Sequence, residues 1–513
     1  MLAKLYSVAL EGIEGIICEV EVDVARGGFE KTLIVGLPDA AVKESIERVK
    51  SAIINCGYKY PKTQSLVNLA PADIKKEGPA FDLPIALGML LGEGVLASTV
   101  LKDFVIVGEL ALDGRVRPVN GILSMAMTAK ANGFRGVIVP LDNAPEAAVV
   151  DGLEVYGVGS LTQTFDFLSG QFPLQTTTID IDEIFKTESR YDVDFSDVKG
   201  QESAKRAITI AAAGGHNILM IGPPGAGKTM LAQRLATILP PLTLAESLET
   251  TRIYSTVGLL GKGKALLATR PVRMPHHTAS GPALVGGGTN ARPGELSLAH
   301  HGILFLDEFA EFPRHVLEMI RQPLEDGTIT VSRAKKSITY FATFLLVASC
   351  NPCPCGYYGS DFRRCKCTPG QVERYLSKIS GPLIDRIDIH IDVPPISFGK
   401  LRSKANQLDS ATIRTDVMKA RAIQTNRFGN GNPGAPGMAN SRMTHKQVEK
   451  FCRLDTACEM LLKQAMTEFG LSARAHDKIC KVARTIADLA DSEDIKPEHV
   501  AEAVGYRKLD RKL

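Results

Sequence analysis

A glycine-rich segment, GPPGAGKT at residues 222–229, has the residue types and the spacing that bind nucleotide phosphates. In the pattern G-x-x-x-x-G-K-[ST], glycines let the backbone wrap the phosphates, and a following helix offers them its unpaired N–H groups. Lys228 would reach the terminal phosphates, and the Thr229 hydroxyl would bind magnesium. The segment therefore predicts a site for ATP and Mg²⁺. The predicted nucleotide-binding residues are Gly222, Pro223, Pro224, Gly225, Ala226, Gly227, Lys228 and Thr229.

Two acidic residues, Asp307 and Glu308, follow the apolar run ILFL, which is predicted to be a buried strand. We expect Asp307 to bind the magnesium ion and Glu308 to polarise the attacking water. Adjacent carboxylates at the end of a buried strand are costly unless they face a cation or solvent. Two solvated acids are the alternative, but the phosphate-binding segment upstream favours the catalytic interpretation.

Four cysteines form a candidate metal site, because Cys353 with Cys355 and Cys365 with Cys367 make two C-x-C pairs. Four thiolates suit tetrahedral zinc, although C-x₂-C is the commoner spacing in structural zinc sites. The alternatives are an iron–sulfur cluster and plain reduced cysteines.

The segment between and around these cysteines is basic, since it carries Arg363, Arg364 and Lys366. A bound metal would stiffen this loop for a contact with nucleic acid or with a partner. A solvated charged loop is the alternative.

Composition excludes several classes of protein. The chain of 513 residues is 44% apolar and 23% charged, which is ordinary for globular proteins, and about 150 residues per domain suggests about three domains. With a net charge of +3, any contact with nucleic acid must come from local clusters. We expect no membrane span and no exported leader, and the cysteine usage is typical of a reducing compartment. These features predict a cytoplasmic protein without membrane contact.

Periodicity predicts an α/β protein with a helical C-terminus. Alternating apolar residues at Val20, Val22 and Val24 indicate a strand, and NILMIG, GILFLD and FLLVAS read as buried strands. Thr444 and Ser472 are predicted helix N-caps, with Pro497 in the first turn of a last helix. The predicted domains are a mixed α/β domain at 1–170, a linker at 171–195, a nucleotide-binding core at 196–400 with the cysteine-rich loop 350–370, and a helical domain at 401–513.

Longer motifs resemble the magnesium-chelatase-like AAA+ family called YifB or ComM. They are RPVRMPHHTASGPALVGGG, PGELSLAHHGILFLDE, RQPLEDGTITVSR, NPCPCGYYG and SGPLIDRIDIHIDVP. The resemblance runs along essentially the whole chain. It implies an N-terminal Lon-protease-like domain of the ribosomal protein S5 domain 2 type, an AAA+ P-loop core and a C-terminal helical lid. It also implies self-association into a hexameric ring.

The resemblance assigns roles to three further residues. Asn351 corresponds to the sensor that positions the attacking water, and Arg386 to the arginine finger that enters the neighbouring subunit's site. Arg474 corresponds to the second sensor, which contacts the γ-phosphate. For each arginine taken alone, a surface salt bridge is the alternative.

Two segments correspond to hairpins that point into the pore of related rings, at residues 283–288 and 328–340. The second carries Arg333, Lys335 and Lys336, and basic hairpin tips can follow a phosphate backbone without reading bases. An exposed lysine turn that discourages edge pairing is the alternative.

The first domain lacks the residues for proteolysis. The segments KKEGPAFDLPIALGML and GELALDGRVRPVNGILSMA follow the two stretches that carry a serine–lysine dyad in Lon-like domains. Here the nucleophile position is Ala80 and the lysine position is Leu123, so neither an attacking hydroxyl nor its base is present. We expect this domain to bind DNA or to brace the ring.

These features together predict an ATP hydrolase that drives a DNA motor. The leading hypothesis is a hexameric helicase that promotes branch migration in homologous recombination during natural transformation. Its expected partners are single-stranded and branched DNA, further copies of itself, and recombination proteins. The alternatives are a protein-remodelling ATPase with a degenerate protease-like domain and a magnesium-chelatase-like motor subunit.

Overall fold

The computed structural model describes residues 2–507 except residues 26, 28, 99, 190, 289–290, 334–335, 361–362, 397–407 and 430–437. The side chains of Arg333 and Lys336 also lie outside this description. The chain divides into two compact units. The first contains Met1–Thr187 and Ser247–Ala268, and the second contains Glu188–Glu246 and Thr269–Leu513.

The first unit is built on a seven-stranded mixed sheet. Its strands are β1 (Leu2–Glu11), β2 (Glu14–Val24), β3 (Lys31–Val35), β4 (Gln64–Ala70), β5 (Phe104–Ile106), β8 (Gly136–Pro140) and β9 (Glu154–Val158), and a small separate sheet pairs β6 (Glu109–Leu110) with β7 (Val116–Arg117). The order across the large sheet is β3-β4-β2-β1-β5-β8-β9. The predicted strand at Val20, Val22 and Val24 is confirmed, because these side chains are buried at alternate positions of β2.

Six helices accompany this sheet in the described part of Met1–Glu188. They are α1 (Ala40–Asn55), α2 (Asp82–Gly92), α3 (Ile122–Ala131), α4 (Ala144–Ala147), α5 (Leu161–Leu168) and α6 (Ile181–Glu188). Helix α6 lies within residues 171–195, which the polar sequence predicted to be a linker without a regular element. Its Ile181, Ile184 and Phe185 recur at helical spacing and pack against an apolar cluster of the first unit.

The segment Ser247–Ala268 belongs to the first unit, although the sequence places it inside the predicted core at 196–400. The Ser255 hydroxyl donates to the buried carboxylate of Glu146, which also accepts from the Leu123 N–H at 2.7 Å. Leu266 is fully buried in the same apolar cluster as Leu123. The segment is therefore held by polar contacts and by burial.

The second unit contains a five-stranded parallel sheet. Its strands are β10 (Ile218–Ile221), β11 (Val272–Arg273), β14 (Ile303–Leu306), β17 (Leu345–Cys350) and β18 (Ile389–Asp392), in the order β11-β14-β17-β10-β18. All four neighbouring pairs are parallel. The carboxyl ends of these strands meet at one edge, which is where ligands bind in open parallel sheets.

Two short hairpins and eight helices complete the described α/β part of this unit, and a ninth helix, Leu244–Thr256, begins in it and continues into the first unit. The hairpins are β12 (Gly286–Gly287) with β13 (Arg292–Pro293), and β15 (Thr328–Arg333) with β16 (Lys336–Phe341). The helices are α7 (Glu202–Gly214), α8 (Lys228–Ile238), α9 (Leu244–Thr256), α10 (Gly281–Val285), α11 (Glu295–Leu298), α12 (Arg314–Glu318), α13 (Arg321–Asp326), α14 (Pro369–Leu376) and α15 (Gly381–Ile384). The predicted hairpin at 328–340 is therefore present. In the segment 283–288, residues 283–285 belong to α10, and only Gly286 and Gly287 pair with β13.

The C-terminal part is helical, as predicted. Its helices are α16 (Ser410–Phe428), α17 (His445–Phe451), α18 (Thr456–Phe469), α19 (Ala473–Leu489) and α20 (Pro497–Gly505). The caps at Thr444 and Ser472 and the position of Pro497 are confirmed. One apolar cluster runs from the strands of the sheet into these helices, with Ile218 and Ile479 both buried in it. No helix in the described ranges is long and apolar enough to cross a membrane.

Candidate active site

The glycine-rich segment lies between β10 and α8, as the motif requires. Gly225 and Gly227 have φ values of 77° and 86°, a region in which side chains are strained. The buried Lys228 donates from Nζ to the carbonyl oxygens of Gly222 at 2.6 Å and Pro223 at 3.1 Å. Burial lowers the pKa of Lys228, and the Asp307 carboxylate opposes that shift. The loop therefore surrounds a buried ammonium group at the start of a helix.

Thr229 and Asp307 are brought together at the carboxyl edge of the sheet. The Thr229 hydroxyl donates to Asp307 Oδ2 at 2.8 Å, and the Ser349 hydroxyl donates to the other carboxylate oxygen. A hydroxyl and a carboxylate at the phosphate loop are oxygen ligands suited to Mg²⁺. The sequence did not identify Ser349, because a serine within an apolar strand gives no signal before the strand order is known.

Asn351 is placed on the other side of Lys228. It follows β17, the strand next to β10, and its Oδ1 accepts from Lys228 Nζ at 3.2 Å. The predicted sensor therefore contacts the predicted phosphate-binding lysine, although the two residues are far apart in the sequence.

The two arginines are not in contact with this centre. The Arg386 guanidinium is bound within its own subunit, to Glu325 Oε1 at 2.6 Å and to the Pro382 carbonyl at 2.6 Å, and its side chain is only 12% exposed. Arg474 is exposed at the start of α19, and it has no ion pair among the described residues. The described site therefore contains the lysine, the hydroxyl, the acid and the amide, but neither arginine.

Comparisons with known proteins agree over the whole chain. The families described as "Subunit ChlI of Mg-chelatase", "Magnesium chelatase, subunit ChlI" and "Magnesium chelatase, subunit ChlI C-terminal" match residues 20–143, 194–401 and 407–507. Competence protein ComM of Haemophilus influenzae is 43% identical over 100% of this chain and 98% of its own length. The chain belongs to the YifB/ComM family of magnesium-chelatase-like proteins. A YifB protein of Escherichia coli is 42% identical over 100% of this chain and 98% of its own length.

The match to a magnesium-chelatase subunit covers only part of the chain. The magnesium-chelatase 38 kDa subunit of Rhodobacter capsulatus is 28% identical over 31% of this chain and 50% of its own length. The ComM and YifB relatives, in contrast, match along the full length of this chain.

In this YifB/ComM protein, Glu308 has a partner that sequence analysis missed. His277 Nδ1 lies 2.9 Å from Glu308 Oε2, and the His277 ring contacts the His276 ring at a tilt of 33°, with 4.1 Å between ring centroids. Glu308 itself has a φ of 50°, which is unusual for a residue with a side chain. The adjacent histidines at 276–277 were visible in the sequence, but only the fold shows that one of them meets Glu308.

Replacing His277 with alanine is expected to lower kcat about tenfold with little change in KM, because a displaced catalytic group slows the reaction without weakening ATP binding. ATP hydrolysis at saturating and limiting ATP measures this split. His445→Ala is the matched control, since His445 is exposed among the C-terminal helices and pairs with Asp477 at 2.8 Å. A rise in KM without a fall in kcat would contradict a positioning role for His277.

The four cysteines of the YifB/ComM protein converge in space, with their sulfur atoms within 4.8 Å of one another. The Cys353 sulfur lies 3.4 Å from that of Cys355 and 3.7 Å from that of Cys365, and the Cys355–Cys365 distance is 3.5 Å. Bonds of about 2.3 Å around tetrahedral zinc place sulfur atoms about 3.8 Å apart. These distances are too long for disulfides, and they fit one tetrahedral ion.

The thiolate form is favoured at one of these cysteines. Hydrogen bonds from the backbone N–H groups of Lys366 and Tyr357 lower the pKa of Cys355 to about 6. A thiolate is the form that binds metal. Burial and the neighbouring thiols raise the pKa of Cys365 and Cys367. The donor set and the spacing, and not the charge state, are therefore what fits a zinc ion.

The predicted basic contacts differ in how far the structure describes them. Arg364 and Lys366 are exposed, and the Arg363 guanidinium lies 4.9 Å from the centre of the Tyr357 ring. The hairpin side chains of Arg333, Lys335 and Lys336 lie outside the described residues. The strands that carry them are joined by hydroxyl pairs, with Thr330–Thr339 at 3.0 Å.

The positions corresponding to a serine–lysine dyad are apolar and buried. Ala80 is 7% exposed and Leu123 is fully buried. Neither side chain offers a nucleophile or a base.

Proposed function

We propose that this protein is an ATP-driven DNA motor, a hexameric helicase that promotes branch migration in homologous recombination during natural transformation. The observation that carries the ATPase part is the convergence of Lys228, Thr229, Asp307 and Asn351 at one edge of the parallel sheet. The DNA part is supported by the 43% identity over the full chain to ComM, a competence protein. We also propose a cytoplasmic location, which the cysteine usage favours.

Each residue of the site has a proposed role in ATP hydrolysis. Lys228 binds the terminal phosphates, and Thr229 and Asp307 are the residues that would hold Mg²⁺. Glu308 polarises the attacking water and Asn351 orients it. A second subunit supplies Arg386, and Arg474 approaches the γ-phosphate from α19. The Mg²⁺ ion supplies neutralisation of the developing phosphate charge.

A ring is supported because the described nucleotide site of one subunit has no contact with Arg386 of the same chain. Arg386 lies on the turn after α15 and pairs with Glu325, away from the Lys228 ammonium group of its own chain. In a heterologous contact between copies, one face would present Arg386 to the nucleotide of the next, and such contacts close into rings. We assign the first unit to a Lon-protease-like domain that binds DNA or braces the ring, and residues 401–513 to a lid.

DNA contact is proposed at the two hairpins and at the cysteine loop. The segment 328–341 includes Arg333, Lys335 and Lys336 in its sequence, and the cysteine loop carries exposed Arg364 and Lys366. Cations in such positions bind phosphates without reading sequence. Zn²⁺ held by Cys353, Cys355, Cys365 and Cys367 would stiffen the second of these contacts.

A protein-remodelling ATPase is the second candidate function. It is favoured by the first unit, in which the positions of a protease dyad hold the buried Ala80 and Leu123. Such a unit could recognise protein substrates without cutting them. A chelatase motor is the third candidate, and the partial match to the chelatase subunit gives it less support.

The test compares ATP hydrolysis by the wild type and Lys228→Ala without DNA and with single-stranded, duplex and three-stranded branched DNA. We expect DNA to stimulate the wild type, and branched DNA most strongly, while the variant stays inactive because the phosphates lose their buried cation. Raising salt from about 50 to about 200 mM should weaken DNA binding by roughly 10³ for six phosphate contacts.

Thermal denaturation of the variant provides the control for folding. A robust ATPase that ignores every DNA, or whose stimulation is insensitive to salt, would contradict the DNA motor and favour protein remodelling. Hydrolysis by Lys228→Ala at the wild-type rate would contradict the assigned ATP site.

A further inference from the structure

The cysteine loop begins and ends at the catalytic centre. Asn351 is its first residue, and the fully buried Cys353 follows two positions later. At its other end, α14 starts two residues after Cys367, and burial raises the pKa of its Tyr375, a shift that the nearby backbone of Asn351 opposes. Both ends of the loop therefore lie close to the residue whose side chain accepts from Lys228.

The loop also touches the phosphate-binding segment directly. A turn closes where the Gly356 N–H donates to the Cys353 carbonyl at 2.9 Å. Gly356 has a φ of 83°, and a Cβ added there would lie only 2.6 Å from Pro224 Cδ and 3.9 Å from Asn351 Cγ. This close approach leaves no room for a side chain, so the turn is packed against both elements that surround the ATP phosphates.

The described part of this loop is held by turns and by its cysteines, without regular secondary structure. Its described residues between Asn351 and Thr368 form only turns, bends and irregular backbone, without helix or strand. An ion bound to Cys353 and Cys355 near the start and to Cys365 and Cys367 near the end would close it, as small metal-bound loops are closed elsewhere. The same ion would fix the distance between Asn351 and α14.

We propose that a thiophilic tetrahedral ion, Zn²⁺, at Cys353, Cys355, Cys365 and Cys367 is required for ATP turnover, because it holds Asn351 and Gly356 against Lys228 and Pro224. The four thiolates position the catalytic amide through the chain, without touching the nucleotide. This inference rests on the proposed ATPase and extends it. Loss of the metal from the cysteine loop would lower the rate of ATP hydrolysis much more than it would lower the affinity for ATP.

The first test is a double substitution at the end of the loop, Cys365→Ser with Cys367→Ser, in the full chain. Bound zinc is measured by elemental analysis, ATP affinity with a fluorescent nucleotide, and kcat by phosphate release. We expect about one zinc per wild-type chain and almost none in the variant, a kcat lower by about 10²-fold, and ATP affinity within about threefold of the wild type. Cys56→Ser, outside the cluster, should match the wild type in all three measurements.

The second test removes the metal from the wild-type chain, so that it does not depend on how a variant folds. Chelation is followed by buffer exchange, restoration of Mg²⁺ and, in one arm, addition of Zn²⁺, with circular dichroism recorded throughout. We expect kcat to fall by a similar factor and to return with Zn²⁺. Gly356→Ala should keep its zinc yet lose at least tenfold in kcat, because the new methyl group displaces the turn from Pro224.

The outcomes separate this inference from the proposed function. Zinc-free wild type that hydrolyses ATP at the full rate, with that activity still dependent on Lys228, would overturn the metal requirement and leave the ATPase intact. A wild-type rate in Gly356→Ala would overturn it as well. Absence of hydrolysis by zinc-loaded wild type would instead contradict the ATPase itself.

Discussion

Glu308→Gln is expected to reduce ATP turnover by about 10³-fold while leaving ATP affinity nearly unchanged, because glutamine cannot accept a proton from the attacking water. Glu308 follows Asp307 at the end of β14, and the Thr229–Asp307 pair that would bind Mg²⁺ does not involve its side chain. The substitution therefore removes the base without removing the metal ligands. Single-turnover hydrolysis and binding of a fluorescent nucleotide measure the two effects separately.

Glu311→Gln is the matched control for this prediction. Glu311 is exposed three residues further along and pairs with Lys378 at 3.2 Å, so the same chemical change occurs close by but outside the site. We expect Glu311→Gln to hydrolyse ATP at nearly the wild-type rate. Equal losses in both variants would indicate a general structural effect, and no loss in Glu308→Gln would require another base.

Arg386→Ala should lower ATP turnover by about 10³-fold or more if the guanidinium stabilises the transition state of a neighbouring subunit. Arg206→Ala should have little effect, since that arginine forms an exposed ion pair with Glu502. Because Arg386 would act between subunits, mixing Arg386→Ala with Lys228→Ala should restore activity. Each inactive chain supplies the group that the other lacks, at about one interface in four of a randomly mixed ring.

The ion pair between Arg386 and Glu325 allows a second substitution to test the same role of Arg386. Glu325 lies on α13, which leads directly into the hairpin that starts at Thr328. Glu325→Gln would remove the ion pair that keeps Arg386 within its own subunit. Arg386 would then be free to reach the neighbouring site without DNA, so basal hydrolysis should rise several-fold while its stimulation by DNA falls. No recovery of activity on mixing the two inactive variants would contradict action between subunits.

The phosphate site and the cysteine site could be predicted from the sequence because each depends on local spacing. The P-loop needs glycines at Gly225 and Gly227 with φ values near 80° and a lysine at the start of the next helix, all within eight residues. The two cysteine pairs are close in the sequence, from Cys353 to Cys367, so no distant segment is needed to bring them together. Strand ends were predictable for a related reason, since side chains that follow neighbouring parallel strands meet at one edge.

Other contacts could not be predicted because they join segments that are distant in the sequence. The His277–Glu308 pair depends on the order in which strands lie in the sheet, and the Arg386–Glu325 pair on the packing of two short helices. Helix α6 was also not predicted, because its segment is mostly polar. Its three apolar side chains indicate a helix only once the cluster against which they pack is known.

The sequence by itself determined which chemical groups this protein has: a phosphate-loop motif, an acidic pair after an apolar strand, four clustered cysteines, and Ala80 and Leu123 at the positions of a protease dyad. The tertiary structure alone decided which of these groups lie together. It placed Ser247–Ala268 in the first unit and brought the Asn351 side chain to Lys228. The reason is physical: a local motif is specified by backbone geometry over a few residues, whereas contacts between distant segments depend on how complete elements pack together.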